Sequence, residues 1–235
     1  MKREQLLQQL FGDGWSPLQS EESFFVGSGR AGDDTVQVIG TAGATEVGVD
    51  LALAMAGAVL DTVRQHPGRP ILFLLDTQGQ RLRRRDELLA LNGYMAHLAK
   101  CVEIARSRGH RILSLVYGQA VSGGYLTTGM MADACYALAD AEIKVMNLPA
   151  MARITKIPLE RLETLARQSP VFSPGVANYY RMGHLREVWQ GDLAACLCDA
   201  LRQPREDDRR PALGRERGGR QQAAAVAARV CADAA

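Results

Sequence analysis

The chain has 235 residues, 47% of them hydrophobic and 23% charged, enough for one sizeable core and ordinary for a globular protein. Its formal net charge is +2, which supplies no field for nucleic acid or a membrane surface. No apolar run reaches the roughly 18 to 20 residues that cross a bilayer, and the charged, amphipathic start MKREQLLQQLFGDGW lacks a signal core, so a cytoplasmic protein is expected.

Residues 1–22 read as a short amphipathic helix and a connector, with Pro17 ending the helix. Residues 23–39 hold extended apolar segments around a turn in GSGRAGDDT, and TVQVIG reads as a strand. The stretch from residue 40 to His66 predicts a helix from the spacing of Leu51, Met55, Val59 and Val63, stopped by Pro67 and Gly68. PILFLLDTQGQ is a continuous apolar run closed by Asp76 and Gly79, a buried strand leading into a loop. RLRRRDELLALNGYMAHLAKCVEIARSRG predicts one long helix, bent near Asn92 and Gly93. HRILSLVYGQA is the next buried strand, followed by a Gly-Gly step, a helix-like YLTTGMMAD and strand character in ACYALADAEIKVMN.

From Pro158 the chain turns helical through PLERLETLARQ, PGVANYYRMGHLREVW and DLAACLCDALRQ. REDDRRPALGRERGGR reads as an exposed linker before an Ala-rich helix. The division expected is residues 1–22, a domain over 23–203, and a linker with terminal helix over 204–235. Alternating strands and helices predict an α/β layered fold. Crossovers of one hand bring the DTQG and Gly-Gly segments to the same edge, where α/β proteins place ligand sites.

Five cysteines without a Cys-x-x-Cys pair, and four scattered histidines, suggest neither a disulfide framework nor a metal site. Gly123 and Gly124 at a helix start admit two readings. They allow tight helix–strand packing, or they leave N–H groups open to a carboxylate or an enolate oxygen. Ser122 tests a third, a nucleophile, but it lacks the flanking glycines of a hydrolase elbow and an evident histidine base. Arg81, Arg83 and Arg84 form either a solvated helix start or a contact for an anionic cofactor arm or an acidic carrier protein. Glu142 and Lys144 read as a surface pair.

DTQG after one buried strand, GQAVSGGY after the next, and ADACYALADAEIKVMNLPA together resemble the carboxyltransferase branch of the crotonase superfamily. The likeness is nearest to the gamma-subunit family of biotin-independent malonate decarboxylases. It covers roughly residues 25 to 200, with Gln78 standing where that branch usually has proline. The resemblance implies a crotonase-like β-β-α spiral of the carboxyltransferase C-domain type and a heterodimer with a beta subunit. It also implies an acyl carrier protein subunit bearing a CoA-derived phosphopantetheine-type group, and a carrier-protein transferase subunit. The reaction implied is release of CO2 from a malonyl thioester to give acetyl-carrier protein, with neither biotin nor metal and no cofactor held by this chain. Carried onto the sequence, the backbone of Gly123, Gly124 and Tyr125 would hold the carboxylate, with Gln78, Gly79, Gln80 and Ser122 lining the pocket. Two alternatives stay open: a carboxyltransferase subunit of a biotin-dependent acyl-CoA carboxylase or decarboxylase, and a non-catalytic scaffold half of such a heterodimer.

Overall fold

The computed structural model describes residues 1–146, 148–168, 174–204, 208–219 and 221–233. Helix α1 (Arg3–Phe11) and a 3-10 turn lead into strand β1 (Trp15–Ser20). The expected connector is therefore an edge strand. Pro17 has no N–H to give a ladder, and the register slips between Pro17 and Gln19. β1 pairs antiparallel with β2 (Phe24–Ala31), which turns through Gly32 at φ +61° into antiparallel β3 (Asp34–Thr41).

The chain continues through β4 (Thr45–Val47), α2 (Val49–Gln65), β5 (Ile71–Gln80), α3 (Arg84–Leu88), α4 (Leu91–Ser107) and β6 (Ile112–Val121). It then forms α5 (Ser122–Leu126), β7 (Ala134–Leu138), β8 (Glu142–Lys144), α6 (Leu148–Thr155), α7 (Leu159–Gln168) and α8 (Val176–Arg181). β9 (Glu187–Trp189), α9 (Leu193–Arg202), α10 (Arg210–Glu216) and α11 (Ala223–Asp233) follow.

The main sheet runs β1-β2-β3-β5-β6-β7-β9, parallel from β3 onward. Ile71, Leu72, Phe73, Leu74 and Leu75 of β5 are fully buried, as are Ile112, Leu113, Leu115 and Val116 of β6. Both faces of these central strands are covered, which is why they read as unbroken apolar runs. α2 and α4 pack on one another, and Met55, Ala56 and Val59 join Leu98, Val102 and Ala105 in the core.

β5 and β6 outrun the main sheet. β3 pairs only the first part of β5, and β4 pairs its end at Thr77, Gly79 and Gln80. Likewise β7 pairs the start of β6 and β8 its end at Gln119, Ala120 and Val121. The two central strands thus fork out of one sheet into a second, smaller strand set. The DTQGQ segment expected as a loop is the end of a strand.

Three further differences have local causes. The long helix breaks at Leu89 and Ala90 rather than bending at Asn92, because Ala90 adopts φ +58°. The helical reading of GHLREVW fails: Gly183, at φ +81°, ends the turn, and Glu187, Val188 and Trp189 pair with β7. The tail expected as a linker docks instead. α10 meets the bend after α8 backbone to backbone, since a Cβ on Gly183 would lie 2.2 Å from Arg210 O and one on Gly214 would lie 2.4 Å from Met182 O. Arg217 adds bonds to the carbonyls of Tyr180, Leu185 and Arg186 and covers the Tyr180 ring. Residues 205–207 and 220 of that tail lie outside the described residues. No described helix is long and apolar enough to cross a membrane.

Candidate functional site

The fork is stapled by Asp76. Between Leu75 and Thr77 the β5–β6 register shifts, and the carboxylate of Asp76 fills the gap. Its Oδ1 accepts from Gln119 N at 2.8 Å and its Oδ2 from Ala44 N at 2.9 Å. Gly118 makes room, because a Cβ there would sit 2.3 Å from Asp76 Oδ1. Thr77 fixes the next step, donating from Oγ1 to Thr45 O at 2.7 Å and accepting from Gly79 N at 3.1 Å.

This scaffold carries the Gly-Gly turn. Gly79, at φ +99°, approaches residue 122 so closely that a Cβ would lie 2.9 Å from Val121 O. A Cβ on Gly124 would lie 3.0 Å from Thr77 Oγ1 and 3.1 Å from Gly79 Cα. Gly124 thus packs closely on the end of β5, and a side chain there would push Thr77, Gly79 or Val47 aside by a few tenths of an ångström. Gly123 donates its N–H to Gln80 Oε1 at 2.9 Å. Tyr125 is the fourth residue after the helix cap Val121, the position whose N–H turns back to the cap carbonyl. The structure brings Gly79, Gln80, Ser122, Gly123 and Gly124 together, while the side chain of Gln78 points to solvent.

Ser122 sits in the left-handed region at φ +46° and its Oγ donates to Val145 O at 2.7 Å. A carbonyl cannot take the proton of a nucleophile, so this hydroxyl is not activated. The basic cluster divides. Arg81 pairs with Asp86 at 3.2 Å, and Gly48 leaves the space its guanidinium fills. Asp86 is buried and accepts from Val49 N at 2.9 Å, capping α2. That N–H, with Arg81 beside it, holds the Asp86 carboxyl below its ordinary range. Arg81 thus has a structural partner in Asp86. Arg85 pairs with Asp50 at 2.7 Å, whereas Arg83 and Arg84 are exposed. Glu142 and Lys144 form the surface pair expected of them, at 2.6 Å. Among the described residues no group of three His, Cys, Asp or Glu is placed to hold a metal ion.

The model of the malonate decarboxylase gamma subunit family (MdcE) matches residues 42–234. The chain belongs to this family.

Its match begins just after β3, so the forked strands and the Gly-Gly turn lie within the gamma-subunit region. A malonyl-S-ACP:biotin-protein carboxyltransferase of Malonomonas rubra is 31% identical over 196 residues, covering 74% of this chain and 67% of that protein. Among solved structures, a Pseudomonas malonate decarboxylase hetero-tetramer in complex with coenzyme A matches at 26% identity. That match covers 97% of both chains with a TM-score of 0.78. A Pseudomonas MdcD-MdcE hetero-dimer matches over 100% of both chains with a TM-score of 0.76. The transcarboxylase 12S subunit, 18% identical with a TM-score of 0.72, shares the fold. The α/β fold is that of the crotonase-like carboxyltransferases.

One group in this gamma-subunit chain escaped the sequence reading. Tyr125, read only for its N–H, has a buried side chain whose hydroxyl bonds His184 Nε2. The His184 ring meets Tyr125 and Tyr179 edge-on, at 5.5 and 5.6 Å between centroids. Burial, helped by the charge of Arg210, pulls the imidazole down to about 4, and burial pushes the Tyr125 phenol well up. Near neutrality both groups are uncharged. Nδ1 of the ring is buried and has no hydrogen-bond partner among the described residues. The pair ties α5 to the α8–β9 bend. Fifty-nine residues separate the partners, so no local pattern announces it.

Proposed function

We propose that this chain is the gamma half of a cytoplasmic, biotin-independent malonyl-carrier-protein decarboxylase. With a beta subunit it would release CO2 from malonyl thioester on an acyl carrier protein, whose CoA-derived phosphopantetheine-type arm a separate transferase subunit installs. The observation that carries the reading is the joining of the Gly-Gly turn to the end of β5, through Gly123 N–H and Gln80, in a chain of this family. Gly124 N–H and the surface beside it would hold the leaving carboxylate, with Gly79 and Ser122 forming the wall.

The chemistry asks little else of this half. The bond between the carboxylate carbon and Cα breaks, and its electron pair moves onto the thioester as an enolate. The carboxylate departs as neutral CO2, and a proton from water completes the acetyl group. The charge that must be stabilised develops at the thioester oxygen, a task for preorganised donors. On the carboxylate side charge is lost, so neutral donors suit better than a cation there. A cation would hold the ground state more tightly than the transition state. Withdrawal of Arg81 to Asp86 agrees with that requirement.

The Malonomonas relative, by its name, acts on a biotin protein, which supports a second reading: transfer of the carboxyl group to biotin rather than its release. Co-expressed subunits supplied with malonyl-carrier protein decide between them. The first reading expects CO2 release without biotin and without inhibition by avidin. Abolition by avidin sinks it in favour of the second. No malonate-dependent turnover in the assembled complex sinks both and leaves the scaffold role.

A further inference from the structure

Gln80 ends β5, and its side chain folds over residue 123. Gly123 N–H donates to Oε1 at 2.9 Å, and only the oxygen of a carboxamide can answer an N–H, so the amide orientation is fixed. A Cβ on Gly123 would lie 2.9 Å from that oxygen and 3.4 Å from Cδ, so glycine is what lets the carboxamide lie there. The Nε2 group sits on the far side of Cδ with two N–H donors. It has no partner among the described residues and is not a buried atom.

We propose that Gln80 Nε2 binds the substrate carboxylate, in place of the Gly123 N–H that orients it. The proposal rests on the decarboxylase reading and names the group that recognises its substrate. Gly123 N–H is already engaged and offers nothing to an incoming anion. It polarises the carboxamide instead and sets the direction of its N–H bonds. Gln80 is half-buried at the strand end, held by β4 pairing on one side and the Gly-Gly turn on the other. Its amide is neutral, so it orients a carboxylate without resisting conversion to CO2. The ligand class is a carboxylate on a short acyl chain, malonate being the simplest probe.

Gln80→Glu is the deciding change. It keeps the length and keeps an acceptor for Gly123 N–H, so the turn and the assembly survive. It also removes both Nε2 donors and places a negative charge where the carboxylate would bind. In the complex of beta, gamma and carrier subunits, kcat/KM for malonyl-carrier protein should fall by about 10²-fold or more. Calorimetric titration of free malonate into the complex should lose its signal. A Gln80→Glu complex that turns over and binds malonate like the parent overturns the proposal, because an acceptor would then be all that Gln80 supplies. Should Gln80→Glu fail to assemble, Gln80→Met decides. It has no donor and no charge, and unchanged malonate binding overturns the proposal equally. Should the parent complex release no CO2, the decarboxylase reading fails by itself, and the malonate titration still judges Gln80.

Discussion

Acidification tests the buried Tyr125–His184 pair. In the folded chain the imidazole is pulled from 6.5 to about 4, chiefly by burial and then by the charge of Arg210, with Asp208 acting the other way. Tyr125, Tyr179 and Cys135 surround it as uncharged groups. Below its ordinary pKa the unfolded chain binds a proton that the folded chain excludes. Stability conferred by the neutral ring is therefore intact above about pH 6.5 and is lost as pH falls toward 4. A gap of roughly 2.5 pH units at about 1.36 kcal/mol each corresponds to about 3 kcal/mol over the whole window. Between pH 7 and pH 5 the loss attributable to this ring is about 2 kcal/mol, or roughly 4 to 8 °C in Tm for a domain of this size. The assay is urea unfolding at both pH values, with His184→Gln as the reference. Glutamine can still hydrogen-bond Tyr125 but does not titrate, so carboxylates elsewhere cancel in the comparison. If the parent and His184→Gln lose equal stability between pH 7 and pH 5, His184 is not the buried neutral ring described here.

Asp76→Ala leaves the N–H groups of Ala44 and Gln119 without their acceptor, each costing about 1 to 3 kcal/mol. Urea unfolding should show a loss of about 2 to 6 kcal/mol for the two together, and turnover should fall with it as the fork loosens. Asp86→Ala uncaps α2 and strands Arg81, so a destabilisation of about 3 to 5 kcal/mol is expected in the same assay. A loss below about 1 kcal/mol would show that Asp86 is not the buried partner of Arg81. Gly214→Val puts a side chain onto Met182 O, which would sit 2.4 Å from its Cβ, and should expel α10. Limited proteolysis should then cut the tail while the core digests no faster, and uncut tails would refute the docking.

The strands β5 and β6 were legible because both faces are buried, and burial from both sides writes a continuous apolar run. The meeting of DTQG with the Gly-Gly step was legible for the same reason, since parallel neighbours end at the same edge. The role of Asp76 was hidden because its two N–H donors lie 32 and 43 residues away and carry no side-chain signature. β4, β8 and β9 are three residues each, too short for a period of two to declare itself. The tail looked like solvent-facing linker because arginine was read as exposed. Here Arg210 and Arg217 turn inward to the carbonyls of Met130, Tyr180, Leu185 and Arg186.

The fork of β5 and β6 has a kinetic consequence. The residues that end these strands continue the core strands past the register shift that Asp76 staples, with Leu75 opposite Val116 and Thr77 opposite Ala120. A surface lid can open while the rest of a protein stays folded, but the ends of these strands cannot. Amide deuterium uptake at Thr77 and Ala120 should thus track global unfolding, not the faster fraying of loops. The wall of this site is built to be stationary, and whatever moves during turnover must be brought to it.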